Sequence, residues 1–146
     1  MNQILPEKML RGIPLNNTEF ITVEGYPTKS VFRFGNYDEK ERNEDGFCEL
    51  SINWFDDDGA VKTLLNQINE RKGTPQFQGG YCELKRSQIN SLAFFTNKII
   101  NYERKIIENN KYHGNILMKN DISKSLKDII SFTLAGLAGT VIKREE

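Results

Sequence analysis

This 146-residue sequence has little of the chemistry by which enzymes are recognised. It contains one histidine and two cysteines, and it lacks a phosphate loop, a dinucleotide loop, a Ser-His-Asp pattern and a CxxC pair. Cys48 and Cys82 fall in predicted strands, which indicates buried free thiols in a reducing compartment. The longest apolar run, residues 132–138, is about half the length of a membrane span. Residues 1–12 do not resemble a signal peptide, so we expect a cytoplasmic protein. Because no cofactor-binding motif is present, we expect no cofactor.

The sequence also lacks net charge, because 20 Lys and Arg balance 20 Asp and Glu. No global field therefore favours nucleic acid or an anionic membrane. The charges are nevertheless unevenly placed. Residues 36–58 hold nine acids and two bases, whereas residues 59–111 hold nine bases and four acids.

Residues 47–68 carry the clearest structural signal. Between Cys48 and Trp54 the apolar residues alternate with polar ones, which is typical of a strand with one buried face. Asp56, Asp57 and Asp58 follow, and a carboxylate there can accept hydrogen bonds from the free N–H groups that open a helix. Helical spacing comes next, in Ala60, Val61, Leu64, Leu65 and Ile68. We predict a helix that ends before Gly73.

Strand signals recur elsewhere in the chain. Four further strands are expected, over residues 20–23, 30–34, 77–84 and 112–119. Gly79 and Gly80 interrupt the third of these, which indicates a bulge or a close approach of another backbone.

Two more helices are predicted. A spacing of three and four apolar residues favours a long helix over residues 87–108. The last helix begins after Asn120 or Asp121. Leu134 and Ala138 widen its predicted buried stripe, which is Ile122, Leu126, Ile129, Thr133, Leu137 and Val141. Because no repeat or linker divides the chain, we expect one α+β domain over residues 1–146. It should contain a mixed sheet of about five strands, with three helices packed mainly on one face.

Two segments are candidate contact surfaces. Residues 36–46 form a polar loop bounded by glycines, whose candidate interaction residues are Asp38, Glu39, Glu41, Glu44 and Asp45. In the last helix, small residues such as Gly136 and Ala138 would permit close approach of another backbone, in the core or across a dimer.

Short motifs run through the chain in a fixed order. Residues 10–14 read LRGIP, residues 50–52 read LSI and residues 111–116 read KYHGNI. In this order they resemble a loose group of small bacterial proteins with the pattern RGIP, P-S-x-A-F, LSV and NPYHxxI. This sequence departs from the pattern at Lys111, where a proline is usual, and at Thr28-Lys29-Ser30. The resemblance implies no particular activity, but it singles out Arg11 and His113.

Arg11 and His113 are the candidate functional residues. A histidine can act as a general acid or base near neutral pH, or it can tie a strand end to a loop. Arg11, beside Gly12, can hold a phosphate or carboxylate, or it can pair with the acidic loop. The candidate ligand-binding residues are Arg11, Thr28, Ser30, Tyr112, His113 and Asn115.

An arginine on an early strand, followed by Thr28 and Ser30, is similar to ADP-ribosyltransferase-type folds that hold a dinucleotide. The chain departs from that pattern because it is short, lacks a helix signal between these residues and offers no evident catalytic glutamate.

Metal binding and nucleic-acid binding have weaker support. Asp56, Asp57 and Asp58 are consecutive and fit a helix cap better than a cation site. Zinc would need Cys48, Cys82 and His113 to converge with a fourth ligand, so we predict no metal. Basic residues of the expected 87–108 helix, including Lys98, Arg104 and Lys105, form either a nucleic-acid strip or an ordinary solvated face.

The sequence therefore favours a non-enzymatic interaction protein of a bacterial or phage cell, of an accessory or immunity type. A protein partner or a homodimer is expected. One alternative is a small nucleotide- or RNA-processing enzyme that uses Arg11 and His113. Another is nucleic-acid binding through the basic helix.

Overall fold

In the computed structural model, which describes residues 4–35, 46–92 and 99–144, a five-stranded sheet and three α-helices confirm the α+β class. The sheet contains β1 (Lys8–Ile13), β2 (Phe47–Trp54), β5 (Gly80–Lys85), β6 (Ile100–Arg104) and β7 (His113–Lys119). A small hairpin joins β3 (Ile68–Asn69) to β4 (Thr74–Pro75). The helices are α1 (Gly59–Leu65), α2 (Arg86–Asn90) and α3 (Lys124–Leu137), with a 3-10 helix at Lys29–Phe32.

The strand order in the main sheet is β5-β1-β2-β7-β6, and every pairing is antiparallel. The sheet therefore differs from the mixed one expected from the sequence. Parallel neighbours need a long crossover connection, whereas β6 and β7 are joined by a short loop. The predicted strands at 47–54 and 112–119 are confirmed and pair with each other over seven residues.

One face of the sheet carries the main core. The alternating residues of β2 pack there against α2, α3 and the 3-10 helix, as predicted for a half-buried strand. The largest fully buried side chains in this core are Trp54, Phe32, Phe34, Met9, Ile13, Leu50, Ile52, Leu84, Ile89, Ile116 and Met118. Cys48 and Cys82 are also buried in it as free thiols.

The other face carries a smaller apolar cluster under α1. Its buried members are Leu10, Ala60, Leu64, Phe77 and Tyr112. Leu10 belongs to this cluster while Met9 belongs to the main core, because successive strand residues point to opposite faces. Strand β1 therefore contributes to both cores.

The prediction of one long helix over residues 87–108 is wrong. Helix α2 ends at Asn90, and Ile100–Arg104 form β6 at the edge of the sheet. Ile100 and Tyr102 also satisfy a period of two, so the local pattern permitted both structures. Pairing with β7 and the packing of Tyr102 edge-on against Trp54 select the strand.

Two other local predictions are also wrong. Residues 29–32 form a 3-10 helix where a strand was expected over 30–34, and residues 20–23 contribute only a bridge between Ile21 and Pro27. Helix α1 stops at Leu65, because residues 68–75 turn into a hairpin with Gly73 at a positive φ of 67°. A short apolar run does not by itself distinguish these structures.

Helix α3 begins later than predicted, but most of its predicted stripe packs against the main core. Its N-cap is Ser123, whose hydroxyl accepts a hydrogen bond from the Leu126 N–H at 3.1 Å. The fully buried side of the helix is formed by Ile130, Ser131 and Leu134, while Ile129 of the predicted stripe is exposed.

The close backbone approach predicted at Gly79 and Gly80 is confirmed. Gly80 has a φ of 92°, and a side chain there would collide with the Ile142 carbonyl. Tyr81 and Ile142 exchange backbone hydrogen bonds, so the C-terminal segment covers part of the β5 edge. The predicted acidic contact residues Asp38, Glu39, Glu41, Glu44 and Asp45 lie outside the described residues.

Candidate functional site

Arg11 spans a gap between the sheet and the 3-10 helix. Strands β1 and β2 are paired only at Met9–Trp54 and Leu10–Asn53, so the Ser51 carbonyl lies beyond their ladder. Arg11 Nη1 donates to the Ser51 carbonyl and its Nε donates to the Val31 carbonyl, both at 2.8 Å. The guanidinium therefore completes the hydrogen bonding of backbone groups that the diverging strands leave unpaired.

The Arg11 side chain is half-buried. Burial lowers the pKa of Arg11 to about 10, which still leaves it charged at neutral pH. Among the residues that the structure describes, no carboxylate lies within ion-pair distance of it. The adjacent Cys82 thiol has its pKa raised to about 12 by burial, so it is a poor nucleophile.

His113 lies on the opposite face of the sheet. Leu10, Asn53 and His113 are aligned across three strands, and Arg11 points away from that face because it follows Leu10. The His113 Nδ1 lies 2.8 Å from the Lys105 carbonyl, which ties the start of β7 to the loop before it. The structure does not bring Arg11 and His113 together.

The other candidate ligand residues are engaged in the scaffold or dispersed. The Tyr112 hydroxyl donates to Asp57 Oδ1 at 2.6 Å, which raises the pKa of Tyr112 and lowers that of Asp57. Thr28 donates to the Glu19 carbonyl, and Ser30 lies on the 3-10 helix. None of these three side chains joins His113 in a reactive arrangement.

Asn115 is buried beside His113 on the same strand face. Its Nδ2 donates to Glu103 Oε2 at 2.8 Å, while its Oδ1 has no hydrogen-bond partner in the described part of the chain. Ser51 lies directly opposite on β2. Among the buried side-chain atoms that the structure describes, Asn115 Oδ1 alone lacks a hydrogen-bond partner.

A buried amide network fixes the loop between β6 and β7. Asn110 Nδ2 donates to Asn53 Oδ1 at 2.8 Å, and Asn53 Nδ2 donates to the Ala60 carbonyl at 3.1 Å. The Tyr112 N–H donates to Asn110 Oδ1. Our sequence analysis missed this network, because asparagine is equally common in exposed turns and the pattern carries no sign of burial.

A cleft of about 1070 Å³ lies over this face, between the β3–β4 hairpin and the loop before β7. Ser51 and His113 contribute to it, and much of the remaining lining is polar, including Asn66, Gln76 and Asn109. Within the described residues His113 has no side-chain partner that would orient it as a base. Among the described residues, no two titratable side chains of this cleft are hydrogen-bonded to each other.

A second cavity, of about 890 Å³, lies between the 3-10 helix and α3. It is lined by four cationic side chains and one carboxylate: Lys29, Arg33, Lys124, Lys127 and Asp128. Lys29 binds Asp128 at 3.1 Å, and Lys127 donates to Asn120 Oδ1. Arg33 and Lys124 are exposed and have no carboxylate partner among the described residues.

An exposed apolar surface adjoins this cavity on the outer side of α3. Ile129 is 50% exposed and Phe132 is 69% exposed, and the space around Gly136 is open. Residues two apart on a helix lie about 200° apart, so Phe132 points away from both Ile130 and Leu134. That offset was a visible signal in the sequence, but we had instead assigned Ile129 to the buried stripe.

The predicted basic strip is not assembled. Arg104 forms a two-bond ion pair with Asp56, and Arg86 donates to the carbonyls of Leu5 and Pro6. Lys98 lies outside the described residues. Arg104 therefore holds the loop after β2 to the sheet edge, and Arg86 holds the segment before β1 to the start of α2.

The described residues contain neither a grouped set of metal ligands nor a membrane-spanning helix. Across residues 4–35, 46–92 and 99–144, no three His, Cys, Asp or Glu side chains are grouped as metal ligands. In the same ranges, no helix combines the length and the apolar character needed to cross a bilayer.

Comparison of the chain with protein-family models, with curated proteins and with solved structures found no match.

Proposed function

We propose that this chain is a non-enzymatic interaction protein that docks a partner protein on the outer face of α3. The observation that carries the proposal is the exposed pair Ile129 and Phe132, one helical turn apart beside Gly136. Single exposed apolar residues are ordinary on protein surfaces. Here two large ones share a face with a glycine that leaves room for a partner's backbone, which suits a helix-sized contact.

The remaining alternatives have less support. An enzyme that uses Arg11 and His113 together loses its geometric basis, because the two side chains lie on opposite faces of the sheet. Both are also bonded to backbone carbonyls. Nucleic-acid binding through a helix at 87–108 loses its structural basis, because residues 100–104 form a strand. An accessory or immunity role in a bacterial or phage cell remains part of our proposal.

The test compares Phe132→Ala with Val23→Ala, because Val23 is 93% exposed on a loop. Tagged wild-type and variant chains are used to capture proteins from a bacterial host, and the captured partner is then purified and titrated. We expect Phe132→Ala to weaken binding by at least about tenfold. We expect Val23→Ala to change it less than about twofold.

The same variants are examined by size-exclusion chromatography with light scattering, since a homodimer is one form of the proposed partner. A dimer that dissociates in Phe132→Ala would support the proposal. A monomer that captures no Phe132-dependent partner would refute it.

A further inference from the structure

The cationic cavity and the exposed face of α3 form one continuous surface. Asp128 lines the cavity and lies one residue from Ile129, and Ser125 lines the cavity one turn before Ile129. The cavity floor is held in place because the Ser131 hydroxyl donates to the Phe32 carbonyl at 2.8 Å. A partner that covers Phe132 would therefore also meet the cavity.

Among the residues that the structure describes, the lining of this cavity holds four cationic side chains and one carboxylate. Asp128 is bound by Lys29, and Arg33 and Lys124 add two further positive charges to the rim. Arg33 follows the 3-10 helix and Lys124 begins α3, and both side chains line the same cavity. An anionic group placed there would accept charge-assisted hydrogen bonds from these side chains, which are stronger than hydrogen bonds between neutral groups.

A protein segment fits the two halves of this surface better than a nucleic acid does. Nucleic acid is bound mainly through many phosphate contacts, whereas this chain has zero net charge and only a local positive excess. Ile129 and Phe132 require an apolar partner group beside the anionic one. Carboxylate and apolar side chains occur together in an acidic amphipathic segment.

We propose that the partner presents an acidic segment whose carboxylates enter the cavity at Arg33 and Lys124. This inference rests on the proposed docking function of α3. Charged groups at such an interface act chiefly on partner choice and association rate. The apolar pair supplies the anchor, and the cavity selects an acidic partner over a neutral one.

The test uses a synthetic polyglutamate peptide as the probe, followed by nitrogen-15 NMR of the full chain. We expect the largest amide shifts at residues 29, 33, 124 and 127, and affinity that falls as NaCl is raised. The double variant Arg33→Glu with Lys124→Glu should weaken binding by at least about tenfold. The matched control, Lys62→Glu with Lys72→Glu, reverses the same charge elsewhere and should retain it.

Two results would overturn the inference. In the first, the peptide shifts amides over the whole surface, or the cavity variant binds it as well as wild type. In the second, single-stranded DNA of equal charge binds at the cavity more tightly than polyglutamate.

The variant Phe132→Ala separates this inference from the docking proposal. It should lose the captured partner yet still bind polyglutamate at the cavity. If partner binding depends on Phe132 but is unchanged in the Arg33 and Lys124 variant, the docking proposal stands and the acidic-segment inference fails.

Discussion

At the scale of single residues, Arg11 connects the 3-10 helix to the central sheet through two backbone carbonyls. Val31 and Ser51 provide those carbonyls, and each accepts one hydrogen bond from the guanidinium. Hydrogen bonds from a charged donor are stronger than neutral ones. The residue that the sequence marked as a candidate ligand is thus part of the structural framework.

We predict that Arg11→Met lowers the free energy of unfolding by about 2 to 4 kcal/mol, because two acceptors lose a charged donor. Urea denaturation measures the change. Arg33→Met is the control, since Arg33 is exposed and should shift stability by about 0.5 kcal/mol or less. Equal midpoints for Arg11→Met and wild type would show that the bonds at Val31 and Ser51 contribute nothing.

Asp57 makes the stability of the protein depend on pH. Its carboxylate accepts hydrogen bonds from the Tyr112 hydroxyl and the Gly59 N–H, and these lower the pKa of Asp57 below its ordinary value of 3.8. A lowered carboxyl pKa stabilises the fold above the unfolded-state pKa, and this stabilisation is lost as pH falls through the lowered value.

We therefore predict that the stability difference between wild type and Asp57→Asn is present at neutral pH and shrinks below about pH 4. Urea midpoints measured across that range provide the check. Tyr112→Phe should reduce the same pH dependence, because it removes the hydrogen bond that lowers the pKa of Asp57 most. A difference that stays constant from neutral to acid pH would contradict this role for Asp57.

At the scale of elements, α3 shows which local signals determine a helix start. Ser123 accepts from the Leu126 N–H, whereas Asp121 lies two residues earlier in a turn. We predict that Ser123→Ala costs about 1 kcal/mol of unfolding free energy, as expected for loss of an N-cap. Asp121→Ala, measured by the same thermal or urea unfolding, should cost less than about 0.5 kcal/mol. The reverse order would place the cap at Asp121.

The elements that could be predicted are those in which apolar and polar residues alternate. In β2, Cys48, Leu50 and Ile52 pack in the main core while Glu49 and Ser51 lie on the other face, so period two is visible in the sequence. Strand β7 was predicted from the same alternation, although the structure buries it on both faces from Gly114 to Met118. Strand β6 lies at the sheet edge and satisfies both periods, so its pairing with β7 had to decide. Residues 30–34 carry an apolar run that fits a 3-10 helix equally well.

At the scale of the whole molecule, β1 couples the two apolar clusters. Met9 and Ile13 pack in the main core, while Leu10 packs with Ala60 and Leu64 on the other face. Neither cluster can lose its contacts with β1 while the strand stays paired on both sides. We therefore expect the chain to unfold as one cooperative unit.

We predict that Leu10→Ala lowers the free energy of unfolding by about 2 to 5 kcal/mol. Both apolar clusters should then unfold together at a lower urea concentration. Fluorescence of Trp54, the only tryptophan, reports on the main core, and far-UV circular dichroism reports on the whole backbone. Both signals should move to the same lower urea midpoint. If Trp54 fluorescence keeps its wild-type midpoint while the dichroism transition shifts, the two faces unfold separately.

The candidate contact surface could be predicted only in part. The small residues of the last helix indicated close approach, but the orientation of α3 depends on Ile130, Ser131 and Leu134 entering the main core. That orientation leaves Phe132 outside and places Lys124 and Arg33 in the lining of the same cavity. A residue pattern along one helix cannot specify which residue of a distant segment faces it.

The sequence alone determined the α+β class, the strands β2 and β7 and the burial of both cysteines, because alternating side chains indicate a strand with at least one buried face. Tertiary structure decided that Arg11 and His113 lie on opposite faces of the sheet. It also decided that residues 100–104 become an edge strand and that cations from two elements share one cavity. These outcomes depend on strand register and on contacts between residues far apart in the chain, which no local spacing encodes.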